Sequence, residues 1–253
     1  MPEGRLAGKS IVVSGGASGI GLATAHRALE CGAQVAIADI DLTAAERVAA
    51  ETPGLHPVRL DVTEDASWAA AIDDIRARFG RIDGVVNNAG VFLIGDIETI
   101  SEADWRRTQA VNVDGVFFGC RHAVRAMKEH GGSIVNLSSV SGLIGGHNIV
   151  AYNASKGAVR LLTKSVALHC THEGYAIRCN SVHPTFVDTP MFQATLNLSR
   201  NPERMRAALT SQVPLGRVAQ AREIADLIVY LLCDESTFVT GAEMVIDGGM
   251  TAQ

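Results

Sequence analysis

Short apolar, β-branched runs alternate with longer stretches whose apolar positions recur every three or four residues, almost from one end of the chain to the other. The runs at 10–14, 34–38, 56–60, 84–87, 133–137, 177–182 and 243–246 have the length and composition of strands. Between them, 20–30, 42–51, 64–79, 102–114 leading into 116–129, 152–172 and 222–232 read as amphipathic helices. Thr63 is placed to cap the third helix, and Ser101 with Asp104 resembles a capping box for the fourth. The strand runs are continuously apolar rather than alternating, so each must be covered on both faces. The pattern therefore predicts an α/β fold: a doubly wound, parallel, seven-stranded sheet between two helical layers. No Pro/Gly/Ser linker interrupts it, so residues 1–253 are expected to form a single domain. Only the segment from about 184 to 213 departs from the rhythm. It is irregular, shows no strand, and mixes Met191, Phe192 and Leu196 with polar residues, as expected of a substrate-binding lid beyond the end of a strand.

Composition narrows the function classes. Nearly half of the 253 residues are apolar, enough for a sizeable core, and the net charge of -5 is made of interspersed signs. Neither a basic footprint for nucleic acid nor a charged tail is visible. The start, Met1-Pro-Glu-Gly-Arg-Leu, lacks a signal-peptide pattern, and no apolar run approaches the roughly 20 residues of a membrane span. The expectation is a soluble, cytoplasmic protein without membrane or nucleic-acid partners. Five scattered cysteines (31, 120, 170, 179 and 233) contain no Cys-x-x-Cys pair, so they read as free, packed thiols and not as a disulfide or metal framework.

The chemistry begins at the first strand, which runs into Ser14-Gly15-Gly16-Ala17-Ser18-Gly19-Ile20-Gly21 and then a helix. Glycines there allow a tight turn and close approach of a pyrophosphate, which also gains from the helix N-terminus. Gly15, Ser18, Gly19, Ile20 and Gly21 are thus candidate dinucleotide contacts in a Rossmann-type arrangement. The second strand ends at Asp39, whose carboxylate can accept both adenosine-ribose hydroxyls and would repel a 2′-phosphate. No basic residue stands at Ser18 or Ile40, so NAD is favoured over NADP. Asp61 and Val62 at the end of the third strand, and Asn88, Ala89 and Gly90 after the fourth, lie where open α/β sheets bind ligands.

A second group lies in the other half of the chain. Tyr152 and Lys156 stand four apart at the start of a helix and so share a face. A lysine cation favours the phenolate, moving a phenol of ordinary pKa near 10 toward the range of a general base. Ser139, at the end of the fifth strand, could hold a substrate oxygen beside that phenol, although Ser138 and Ser141 are equally placed by spacing. Asn112 carries an amide that is costly to bury unpaired.

These features, in this order, resemble the short-chain dehydrogenase/reductase family over essentially the whole chain. The likeness rests on the glycine turn at 15–21, Asn87-Asn88-Ala89-Gly90, Asn112, Ser139 and Tyr152-x-x-x-Lys156. The resemblance selects Ser139 over its neighbours. It implies an Asn112–Ser139–Tyr152–Lys156 tetrad in which tyrosine is the acid/base, lysine binds the nicotinamide ribose, serine positions substrate and asparagine holds a relay water. It also implies contacts of Val187 and Thr189 with the nicotinamide carboxamide, and a homotetramer built across the helices near 102–129 and 152–172. Thr185 stands where the family usually has glycine.

The pocket walls expected from this placement are 91–93, Ser141 to Leu143, His147 to Ile149, Thr185 and Phe186, and Met191 to Leu196. They are mainly apolar, with no evident arginine to clamp an anion. His147 and His183 are read first as structural and second as proton-relay groups. The expected function is NAD-dependent interconversion of a hydrophobic secondary alcohol, including cyclic or steroid-like ones, with its ketone. A 3-oxoacyl-thioester or sugar reductase is the alternative within the family, and a catalytically inactive NAD-binding sensor or scaffold the alternative outside it.

Overall fold

The computed structural model describes residues 4–253. In chain order the elements are β1 (Ser10–Ser14), α1 (Gly19–Glu30), β2 (Gln34–Asp39), α2 (Leu42–Glu51), β3 (Leu55–Arg59), α3 (Asp65–Phe79) and β4 (Gly84–Asn87). They continue as α4 (Glu102–Gln109), a π-turn over Ala110–Asp114, α5 (Gly115–Met127), β5 (Gly132–Leu137), a 3-10 turn over Val140–Gly142, α6 (Val150–His172) and β6 (Ile177–Pro184). The last are β7 (Val187–Asp188), α7 (Pro190–Asn197), α8 (Pro202–Thr210), β8 (Ala219–Gln220), α9 (Ala221–Leu232) and β9 (Glu243–Ile246).

Seven strands form one parallel sheet in the order β3-β2-β1-β4-β5-β6-β9. Successive residues of each buried strand serve opposite faces. Val13, Ile37, Val86 and Val135 pack with Ile224, Ile228 and Val229 of α9, and the neighbouring Val12, Ala36, Val85 and Ile134 pack with Trp68, Ile75 and Val159 on the other side. This is the physical reason for the uninterrupted apolar runs. The chain leaves β1 in one direction toward β3 and returns on the other side with β4, which opens a crevice at the carboxyl ends of these two strands.

Several local expectations need correction. Thr63 does not cap α3: its hydroxyl donates to the Asp61 carboxylate (2.7 Å), and Glu64 is the cap residue without a side-chain bond. Ser101 does cap α4, accepting from the Asp104 amide (3.0 Å), but the Asp104 carboxylate returns to the Ser101 hydroxyl and not to its backbone. The segment 184–213 is not irregular. It contains β7, which pairs with β8, and two short helices capped by Thr189 and Asn201, each with proline in its first turn. These helices enclose a small apolar cluster of their own, Phe192, Leu196 and Val218 with Phe186, Met205 and Leu209, so the segment is folded yet separate from the two main cores.

All five cysteines are buried and unpaired. Among the described residues, no helix is long and apolar enough to cross a membrane.

Trp68 is fully buried and donates its indole N–H to the Val62 carbonyl (3.3 Å) at the edge of the crevice. Trp68→Ala is expected to cost about 3–5 kcal/mol, measured as a lowered urea midpoint; an unchanged midpoint would show that the second core does not depend on it.

Candidate active site

A cavity of about 1070 Å³ opens over the carboxyl ends of the central strands. Its first half is built by the turn after β1. Gly15 and Gly19 adopt φ of +63° and +56°, which other residues rarely do, and a Cβ on Gly21 would collide with the Gly15 carbonyl. The turn is locked to β4. The Ser14 hydroxyl accepts from the Asn88 and Ala89 amides (3.0 and 3.2 Å), while the Asn88 carboxamide donates to the carbonyls of Ser14 and Gly15 (both 3.0 Å). Asn88 thus shapes the glycine turn from the adjacent strand, a role that its spacing in the sequence gave no means of reading.

Gly15, Ser18, Gly19, Ile20, Asp39, Asp61, Val62, Asn88, Ala89, Gly90, Val187 and Thr189 all line the cavity; Gly21 packs beneath it. Asp39 is held by the Ala17 and Asp41 amides (3.1 Å each), which aim its carboxylate at the mouth of the glycine turn. Asp61 is fastened by Thr63. Thr189 is both a cavity residue and the cap of α7, accepting from the Phe192 amide (3.3 Å).

In the second half, Ser139, Tyr152 and Lys156 share the cavity wall. Lys156 is only 4 % exposed; its ammonium donates to the Leu137 carbonyl (2.7 Å) and lies 5.5 Å from the Tyr152 ring centre. Of the three candidate serines, Ser138 donates its hydroxyl to the Lys156 carbonyl (2.9 Å); the Ser139 hydroxyl lies beside the phenol, donating to the Pro184 carbonyl (3.3 Å) and accepting from the Ser141 amide (3.1 Å). Phe92 meets the Tyr152 ring edge to face at 4.9 Å.

Asn112 is fully buried in the π-turn and does not line the cavity. Its carboxamide accepts from the Val91 amide (2.8 Å) and donates to the Val91 carbonyl (2.9 Å) and the Ser155 hydroxyl (3.1 Å). Gly90 lies between Asn112 and Lys156: a Cβ there would stand 3.3 Å from the Asn112 oxygen and 3.8 Å from the Lys156 ammonium.

The electrostatics differ from the sequence expectation. Burial pushes the Tyr152 phenol up to about 12, against a smaller opposing effect of the Ser139 hydroxyl, and pushes Lys156 down to about 8. Desolvation outweighs the attraction of lysine for a phenolate in this state of the site.

Ser141, His147, Thr185, Phe186 and Met191 line the same cavity as Tyr152. Leu143 does not; the 3-10 turn places Ile144 on the wall instead. Leu93 and Leu196 are likewise off the wall, Leu196 because it belongs to the apolar cluster of the 184–213 segment. His183 is structural: fully buried, it meets the Ser139 carbonyl (3.0 Å) and the Ser181 hydroxyl (2.8 Å). Wall residues that the sequence reading missed include Arg107, Met205, Leu209 and Met250. Arg107 corrects the expectation that no arginine faces the cavity. The i, i+4 spacing of Met205 and Leu209 was a usable signal; nothing local marks Met250.

A family model described as enoyl-(acyl carrier protein) reductase matches residues 15–251. The NADP-dependent (R)-specific alcohol dehydrogenase of Lentilactobacillus kefiri is 41% identical over 98% of this chain and 99% of its own. The trans-4-hydroxycyclohexanecarboxylate dehydrogenase of Sinomonas cyclohexanicum is 44% identical, over 98% and 95%. The chain belongs to the short-chain dehydrogenase/reductase family. A third relative, the 3-beta-hydroxysteroid dehydrogenase of Comamonas testosteroni, is 40% identical over 97% of each chain. Members of the family use a nicotinamide cofactor.

The lysine pKa has a measurable consequence for this family member. Lys156 is lowered in the folded state, so the unfolded chain binds more protons between about pH 8 and the ordinary lysine pKa, and stability must rise with pH over that window. Relative to Lys156→Met, the unchanged protein is expected to gain about 2–3 kcal/mol between pH 8 and 10.5, read from urea midpoints. A flat difference would mean that the ammonium is solvated. Tyr152 acts in the opposite sense, its contribution being lost only above pH 10 as the pH climbs toward 12.

Proposed function

We propose that the protein is an NAD-dependent dehydrogenase that interconverts a hydrophobic secondary alcohol, cyclic or steroid-like, with its ketone. The observation that carries this reading is the meeting of Ser139, Tyr152 and Lys156 on one wall of a cavity whose other half carries the glycine turn and Asp39.

The residues present fit a nicotinamide dinucleotide. Gly15 and Gly19, both at positive φ, line the cavity without side chains and present bare backbone beside the start of α1 to the pyrophosphate position. Asp39 would take the adenosine ribose hydroxyls, Val187 and Thr189 the carboxamide, and Lys156 the second ribose. When bound, the cofactor supplies the hydride acceptor or donor. In the oxidative direction Ser139 and Tyr152 bracket the substrate oxygen, and Tyr152 removes its proton. Lys156, when protonated, stabilises the phenolate formed in that step. Asn112 fixes Val91 and Gly90 beside the ammonium, and a water held there passes the proton outward. Reduction reverses these steps.

The mainly apolar walls, and a relative described as a hydroxysteroid dehydrogenase, support a hydrophobic substrate. One relative is described as NADP-dependent, so the preference for NAD rests on the fixed carboxylate of Asp39, which would repel a 2′-phosphate.

Reduced-nicotinamide absorbance should report strong turnover with NAD and cyclic or steroidal alcohols, and Tyr152→Phe should lower it by about a thousandfold or more without weakening NAD binding. Replacement of Asp39 by Gly together with Ile40 by Arg should transfer the preference to NADP. Preference of the unchanged protein for NADP would overturn the ribose assignment, and NAD binding with no turnover of any alcohol or ketone would favour a scaffold.

A homotetramer is the proposed assembly. Trp105, Phe117, Leu161 and Leu168 leave apolar surface uncovered on α4, α5 and α6, with exposures of 38, 44, 64 and 71 %. Light scattering should give four chains at micromolar concentration; a monomer would remove the proposal.

A further inference from the structure

The segment that follows Ser139 forms one wall of the substrate half, through Ser141, Ile144, Gly146 and His147. It has little regular structure of its own, only the 3-10 turn over Val140–Gly142, so its shape must be imposed by something else.

Asn153 imposes it. This side chain, next to Tyr152 on the first turns of α6, makes three hydrogen bonds to the segment. Its NH2 group donates to the Ser141 carbonyl (2.6 Å) and the Ile144 carbonyl (2.8 Å), and its oxygen accepts from the Gly146 amide (3.0 Å). The partners fix which end of the amide is which, since carbonyls only accept and an amide N–H only donates. The carboxamide provides two donors and an acceptor in one small head, and asparagine carries it on the shorter stem of the two residues that have it. The packing independently shows that the segment is pressed against its surroundings. A Cβ on Gly142 would stand 2.7 Å from the Lys156 carbonyl oxygen, and one on Gly146 2.7 Å from Ile149.

We propose that Asn153 is a positioning residue that sets selectivity among substrates, by fixing the 141–146 wall of the cavity relative to the helix carrying Tyr152 and Lys156. The inference deepens the proposed function and relies on it for the substrate class alone; the clamp itself can be tested without turnover. Asn153 does not touch the reacting atoms. Its loss should therefore alter how well differently sized alcohols fit more than the proton transfer itself.

Two variants separate this role from general stability. Asn153→Ala removes all three bonds. Asn153→Asp keeps the shape and the acceptor but sets a carboxylate against two carbonyl oxygens, and protonation would restore one donor. In both variants, amide hydrogen exchange across 141–149 should accelerate at least tenfold while β1 and β4 stay protected. In Asn153→Asp the exchange, corrected for its intrinsic pH dependence, should slow again as the pH is lowered through the range of the new carboxyl group. With activity as the readout, the ratio of kcat/KM for a steroidal over a five-carbon cyclic alcohol should change at least threefold, mostly in KM, with NAD affinity unchanged. Unaltered exchange across 141–149 would overturn the clamp. Altered exchange with an unaltered ratio would overturn the selectivity role. Should no alcohol be turned over by the unchanged protein, the proposed function fails, while the exchange result still decides the clamp. If Asn153→Ala does not fold, Asn153→Asp provides the same comparison.

Discussion

The buried ammonium of Lys156 is the constraint on which the catalytic half of the molecule depends. A cation removed from water is costly unless it is paired, and here it has the Leu137 carbonyl at the end of β5 and no carboxylate among its hydrogen-bond partners. Burial answers by lowering its pKa to about 8, close enough to neutrality for the group to hold or release a proton in working conditions. The same burial raises Tyr152, so the two groups are driven apart, each toward its neutral form. Any negative charge arriving in the site is stabilised by an ammonium otherwise short of partners. The surrounding contacts serve to keep that arrangement in place: Ser138 ties the Lys156 backbone to the strand end, and Gly142 is the only residue type that lets the wall segment pass so close to the helix.

The path from sequence to sheet was direct because each strand is buried on both sides. That burial demands continuous apolar runs, and continuous runs are visible without an alignment. The order of strands was not read: the third strand was placed beside the first, whereas it pairs with the second. Only the gathering of the glycine turn and the acidic or amide residues after the second, third and fourth strands at one edge of a parallel sheet was legible. Boundaries were off by one or two residues where capping decided them. Thr63 illustrates the cause: a hydroxyl before a helix can cap it or serve a neighbouring carboxylate, and Asp61 two residues earlier was the better acceptor. The 184–213 segment was misread as irregular because its helices are short and their apolar residues face a local cluster, so neither shows the long periodic stripe of a core helix.

The candidate site was legible in its chemistry and much less so in its shape. Tyr152 and Lys156 could be found from their spacing at a helix start, whereas position alone left Ser138, Ser139 and Ser141 open and only the family resemblance selected Ser139. The π-turn holding Asn112 was not visible, and neither was the choice of a backbone partner, Val91, for its carboxamide. The expectation that lysine lowers the tyrosine pKa failed for a related reason. Charge proximity can be guessed from i, i+4 spacing, but the opposing desolvation depends on everything packed around the pair.

Thr185 shows how such distant packing bears on substrate choice. A threonine in place of the usual glycine adds a hydroxyl to the cavity wall, which taken alone would suggest affinity for a polar substrate. In the fold that hydroxyl donates to the Met250 thioether at 2.9 Å, from a residue 65 positions away. The Met250 turn is itself fastened: Asp247 accepts from the Gly249 and Thr251 amides (2.9 and 2.7 Å), and the Leu215 amide donates to the Gly248 carbonyl (3.2 Å). Thr185 therefore offers the substrate no free donor, and the pair closes the wall with a methyl-bearing side chain and a thioether. The substitution adds bulk to the cavity wall at this point while its one donor is spent within the protein.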